Sequence, residues 1–68
     1  MTLDEALADL RGVEGFEDAK VTGEETPLPD GETRIEYTST NFFDQPIIVR
    51  SASGDVRMEP WTWMLDQD

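Results

Sequence analysis

The chain has 68 residues, with sixteen Asp and Glu against one Lys and four Arg, a formal net charge of −11 at pH 7, and neither Cys nor His. That excludes disulfides, thiolate or imidazole metal sites, a base with an ordinary pKa near neutrality, and a cationic stripe for nucleic acid. A chain this short hides only about 60% of the surface its unfolded form exposes, so a single domain held by packing alone is expected.

The first element is predicted as a helix from Leu3 to Arg11. Thr2 and Glu5 have capping-box spacing, and Asp4 and Glu5 fall in the first turn, where the helix dipole favours negative charge. Leu3, Ala6, Leu7 and Leu10 follow the i, i+3, i+4, i+7 spacing of one buried face. Arg11 suits the last turn and Gly12 the position beyond it. A strand is predicted from Phe16 to Thr22, and the prolines and the Asp-Gly step in Glu24 to Gly31 read as a loop. Thr33, Ile35, Tyr37 and Ser39 alternate with Arg34, Glu36, Thr38 and Thr40, the pattern of a strand with one face in the core.

Asn41 to Asp44 reads as a connection with at least one of Phe42 and Phe43 turned inward. It leads to the main apolar stretch, Gln45 to Leu65. There Ile47, Ile48 and Val49 follow Pro46, a Gly-containing loop intervenes, and Val56 and Met58 precede Pro60, Trp61 and Trp63. Two short runs around such a loop predict a β-hairpin with prolines at strand entry and exit. The tail Asp66-Gln67-Asp68 is expected to fray. Consecutive strands with short connections make an antiparallel meander. The fold class expected is therefore α+β, one domain over 1–68, with a short N-terminal helix packed on a three- or four-stranded antiparallel sheet. Leu7, Leu10, Ile35, Tyr37, Val49 and Val56 are the expected core.

Catalytic readings find little to stand on. Ser39, Ser51 or Ser53 would need Lys20 as base, and no spacing brings them together. With sixteen acids in the chain, some carboxylate pair reaches a glycosidase-like separation by chance. Asp30-Gly31-Glu32 lacks calcium-loop spacing and there is no phosphate-cradling glycine motif, so no enzyme activity, cofactor or metal is expected. Apolar runs such as Ile47-Ile48-Val49 fall far short of the roughly 20 residues of a membrane span, and no basic segment with an apolar core opens the chain. A soluble cytoplasmic monomer is the expectation.

The acids are unevenly distributed. Residues 1–36 hold eleven (Asp4, Glu5, Asp9, Glu14, Glu17, Asp18, Glu24, Glu25, Asp30, Glu32 and Glu36) against three cations, whereas residues 37–68 hold five against two. If these eleven shared one side of a domain of roughly 4,300 Å², they would lie about one per 200 Å², within a factor of about two of the phosphate density of duplex DNA. In size, charge and lack of catalytic residues the chain resembles the small acidic inhibitors of bacteriophages and mobile elements, including DNA-mimic anti-CRISPR proteins. The resemblance implies a partner that is a basic nucleic-acid-binding protein or nucleoprotein complex, blocked sterically and electrostatically through those eleven acids, with no direct binding of nucleic acid or membrane. Two other readings fit the same residues. A soluble domain adapted to high salt would use its carboxylates for hydration. A regulatory or antitoxin-like subunit would use Trp61, Trp63 and Phe42 as a contact patch.

Overall fold

The computed structural model describes residues 1–66. Helix α1 (Leu3–Arg11) is followed by strands β1 (Lys20–Pro27), β2 (Thr33–Thr38), β3 (Ile47–Arg50) and β4 (Val56–Glu59). The strands form one antiparallel sheet in the order β1-β2-β3-β4, the expected meander with the helix on one face. Short 3₁₀ turns at Pro29–Gly31 and Trp61–Asp66 follow β1 and β4.

The helix starts where its cap dictates. Thr2 Oγ1 accepts from the Glu5 N–H at 3.2 Å, and Glu5 Oε1 accepts from the Thr2 N–H at 2.9 Å. Nine residues cannot hold a helix alone, so its stability comes from the buried face of Ala6, Leu7 and Leu10. These pack with Phe16, Ala19, Ile35, Ile48 and Val56, flanked by Leu3, Tyr37 and Met58. Met1 joins helix to sheet: its carbonyl accepts from the Val56 N–H at 3.0 Å, and its nitrogen donates to Val56 O at 3.3 Å. Part of the free edge of β4 is thereby occupied.

Strand β3 is buried on both faces. Ile48 points to the helix, while Ile47 and Val49 point away from it, and all three are buried. Val49 lies between its register partners Arg34 and Arg57, and Ile47 opposite Glu59. The aliphatic stems of the two arginines thus flank Val49, whose exposure is 0%. Tyr37 is half-buried at the end of β2, where its hydroxyl donates to Pro46 O at 2.7 Å. Burial pushes that phenol up to about 12.

Several expectations are corrected. The first strand is shifted toward the C-terminus: Phe16 anchors a turn in the core, and β1 runs on through Glu24, Glu25 and Thr26, which had read as loop. β1 is an edge strand exposed along its whole length, so no apolar alternation announces it. Between the pairs Val21↔Tyr37 and Glu25↔Ile35 it carries a bulge at Gly23 (φ 90°), which breaks the strand period. The strand exit expected at Pro60 holds: β4 ends at Glu59, and Trp61 and Trp63 follow on a 3₁₀ turn. Neither Phe42 nor Phe43 enters the core. Of the tail expected to fray, Gln67 and Asp68 lie outside the described residues.

Truncation should separate these environments. Ile48→Ala is expected to cost about 2 to 5 kcal/mol, a large share of the roughly 3 to 10 kcal/mol that a chain of this length holds. Phe42→Ala should stay within about 0.5 kcal/mol of the parent. Midpoints of urea unfolding, read by tryptophan fluorescence, check both.

Candidate functional site

The eleven predicted acids divide between two environments. Glu32 and Glu36 share the parity of Arg34, so they sit on the sheet face away from the helix. There Arg34 Nε meets Glu36 Oε2 at 3.4 Å, and Arg57 bridges Glu32 Oε2 at 2.8 Å and Glu59 Oε1 at 3.1 Å. Arg57 also lies over the Trp63 ring, 5.4 Å from its centre. Glu25 faces the other way and takes a bidentate pair from Arg50, at 2.7 and 3.2 Å. That pair holds the Glu25 carboxyl below the usual carboxylate range. Glu25, Glu32 and Glu36 are therefore engaged with arginines within the sheet, and the premise that all eleven acids share one side is corrected.

Residues 1–24 present a different picture. Their seven acids, Asp4, Glu5, Asp9, Glu14, Glu17, Asp18 and Glu24, are all exposed. Among the described residues none of them joins an ion pair, and neither does Arg11 or Lys20. Arg11 Nε instead donates to Ala19 O at 2.8 Å, tying the helix end to the start of β1. Three of the seven acids act locally through hydrogen bonds. Glu5 completes the cap, and Glu17 Oε2 accepts from the Gly15 N–H at 2.6 Å. Asp18 accepts from the Thr40 N–H through both oxygens, at 3.1 and 3.0 Å, and also from the Thr40 hydroxyl. The Thr2 and Thr40 donors hold the Glu5 and Asp18 carboxyls, respectively, below their ordinary values. Asp4, Asp9, Glu14 and Glu24, together with Asp30 on the β1–β2 turn, lie exposed without such bonds among the described residues.

The resulting density is lower than that of DNA. Even confined to half of the 4495 Å² surface, seven acids would have about 320 Å² each, roughly a third of the charge density of a duplex at one per about 100 Å². The seven are distributed over α1, the turns that follow it and β1. They include no nucleophile–base pair, and no group of three or more potential metal ligands occurs among the described residues.

A second exposed feature adjoins this side. Asn41 and Thr40 meet Gly15, Glu17 and Asp18 around an open hollow of about 400 Å³. Gly15 is required there: its φ is 96°, and a Cβ would fall 2.7 Å from Asn41 Nδ2. Above this seam Phe42 and Phe43 are 78% and 82% exposed. Of the aromatic patch read from the sequence, Phe42 is therefore free to make contacts, Trp61 is half-exposed, and Trp63 is partly covered. Phe43 was missed as a surface residue because an adjacent aromatic pair in a small protein ordinarily signals core.

No family model, curated protein or solved structure matches the chain. No helix among the described residues is long and apolar enough to cross a membrane.

The Asp18 contact sets a pH dependence with a definite sign. Its folded pKa is lowered from an ordinary 3.8, so its contribution is present above that value and is lost as pH falls through the lower folded one. Asp18→Ala should therefore be less stable than the parent at pH 7, with the gap closing below pH 3.8. Taking the difference between the two proteins removes the general relief of repulsion as the other acids protonate. Thermal unfolding of both across that range is the check.

Proposed function

We propose that the protein is an acidic inhibitor that acts by occupancy without turning over a substrate. Its partner would be a basic nucleic-acid-binding protein or nucleoprotein complex, and its action would be to keep duplex DNA from the partner's binding groove. The observation that carries this reading is the separation of charge. Every arginine–carboxylate bridge lies on the sheet, while the seven acids of residues 1–24 face solvent without an ion pair among the described residues. Stability alone would favour spreading the cations among the acids. Glu5 and Asp9, spaced i,i+4 on α1, are like charges with no cation between them, an arrangement that costs a helix stability.

A field of this kind steers a basic partner and repels nucleic acid and anionic surfaces. The footprint is narrower than the eleven acids. It comprises the seven acids Asp4, Glu5, Asp9, Glu14, Glu17, Asp18 and Glu24, with Asp30 on the turn, while Glu25, Glu32 and Glu36 serve the sheet. Because the spacing is wider than that of phosphates, the protein would compete for a positive groove without copying the duplex charge for charge. On this reading the activity would belong to the cytoplasm of a host cell, with anti-CRISPR action as one form of it.

Competition measures this directly. A nucleic-acid-handling complex recovered from the source cells should lose a labelled duplex of about 20 base pairs as the protein is added, and the effect should weaken steeply between about 0.05 and about 0.5 M salt. Asp9→Lys and Glu14→Lys should each weaken inhibition by about tenfold or more, because they place like charges together. Asp55→Lys, the same change of charge on the β3–β4 loop, should leave it nearly intact. Recovery of no such complex, or equal losses from all three reversals, would contradict the proposal.

A further inference from the structure

A field of carboxylates needs no aromatic side chains, yet two adjacent phenylalanines stand almost fully in water beside it. Phe42 and Phe43 are the most exposed large apolar residues described, at 78% and 82%. Their loop is not loose. Asn41 Oδ1 accepts from the Phe43 N–H at 2.9 Å, and the Asn41 carbonyl accepts from Gln45 Nε2 at 2.6 Å and from the Ser39 hydroxyl at 2.9 Å. Thr40 is held by Asp18 from the neighbouring turn, Tyr37 holds Pro46, and Asp44 takes a left-handed φ of 52° that sharpens the bend. Hydrogen bonds on both sides of the tip thus fix the backbone that carries the two rings, which lowers the entropy lost when they are buried by a partner.

The surroundings define what that partner must look like. Glu17 and Asp18 line the hollow at the base of the loop, Glu14 precedes Gly15 in the same turn, and Asp44 follows Phe43; Lys20 is the nearest cation in sequence, two residues past Asp18. We infer that Phe42 and Phe43 are the apolar anchor of the partner contact and dock on an apolar protein surface bordered by Lys and Arg. Aromatic anchors at the centre of a contact supply most of its affinity, while charges around them set specificity and encounter rate. A second copy of this chain is a poor occupant, because each copy carries −11. An anionic membrane is repelled for the same reason. The inference rests on the proposed basic partner, and it adds an apolar share of the affinity that remains when salt screens the charges.

Two synthetic helical peptides of equal length and charge test it, one with a Leu stripe bordered by Lys and one with Ser in place of Leu. The parent protein should bind the Leu/Lys peptide at least about tenfold tighter than the Ser/Lys peptide. Phe42→Ser/Phe43→Ser, which removes nothing from the core, should bring that ratio to about one and leave Ser/Lys binding unchanged. Glu14→Gln/Glu17→Gln should weaken both peptides together. A ratio near one in the parent, or a ratio that survives the phenylalanine changes, would overturn the anchor. Insensitivity of both peptides to the glutamate changes would instead overturn the electrostatic reading. Two further results would also overturn the inference: phenylalanine-dependent binding to phosphatidylcholine vesicles would assign the tip to a membrane, and phenylalanine-dependent dimerisation at high salt would assign it to self-association.

Discussion

The double burial of β3 is the constraint from which the rest of the architecture follows. Ile47, Ile48 and Val49 are adjacent, so any strand conformation sends Ile48 to one side and the other two to the opposite side. Among the described residues there is one α-helix, and α1 covers the Ile48 side. With no second helix among the described residues, the outer side is flanked by long polar side chains. Arg34 and Arg57 stand on either side of Val49, and Glu59 stands opposite Ile47. Their apolar stems take the place of a missing layer while their charged ends remain partly in water.

This packing role commits the cations. Arg34 and Arg57 find Glu36, Glu32 and Glu59 beside them, and Arg50 holds Glu25. Partly exposed bridges of this kind contribute modestly to stability one at a time. Their larger consequence is spatial: arginines tied to the sheet cannot offset the acids of α1 and the turn after it. Arg11, the one arginine elsewhere, is turned onto Ala19 O. The unpaired acids of residues 1–24, on a protein with five cations, are therefore linked to how a short sheet covers its own apolar residues.

The parts of this arrangement that were legible in the sequence are those with a local signature. The Thr2–Glu5 box, the leucine spacing of α1, the alternation of β2 and the hairpin of β3 and β4 each appear as a pattern within a few residues. β1 was misplaced because an exposed, bulged edge strand has no apolar period to read. The Phe42-Phe43 pair was assigned by hydrophobicity, which does not say which aromatic residues a small core has room for. The site was half legible. Counting charges located the acidic half of the chain, but pairing across strands depends on register, so the neutralisation of Glu25 by Arg50 and of Glu32 by Arg57 had no local sign, whereas Arg34 and Glu36 lie two residues apart on β2.

The central physical claim is that acids on the sheet are compensated while those of the N-terminal side repel one another. Neutralising each set and measuring urea-unfolding midpoints at low ionic strength tests it most directly. Asp9→Asn/Glu14→Gln/Glu24→Gln avoids the helix cap and the first turn, where a negative charge helps the helix. That variant should be more stable than the parent, with the gain shrinking as salt rises toward about 0.5 M. Glu32→Gln/Glu36→Gln should be less stable than the parent, because it leaves Arg34 without its ion-pair partner and Arg57 with Glu59 alone. A loss of stability from the first set, or an equal gain from both, would contradict the account.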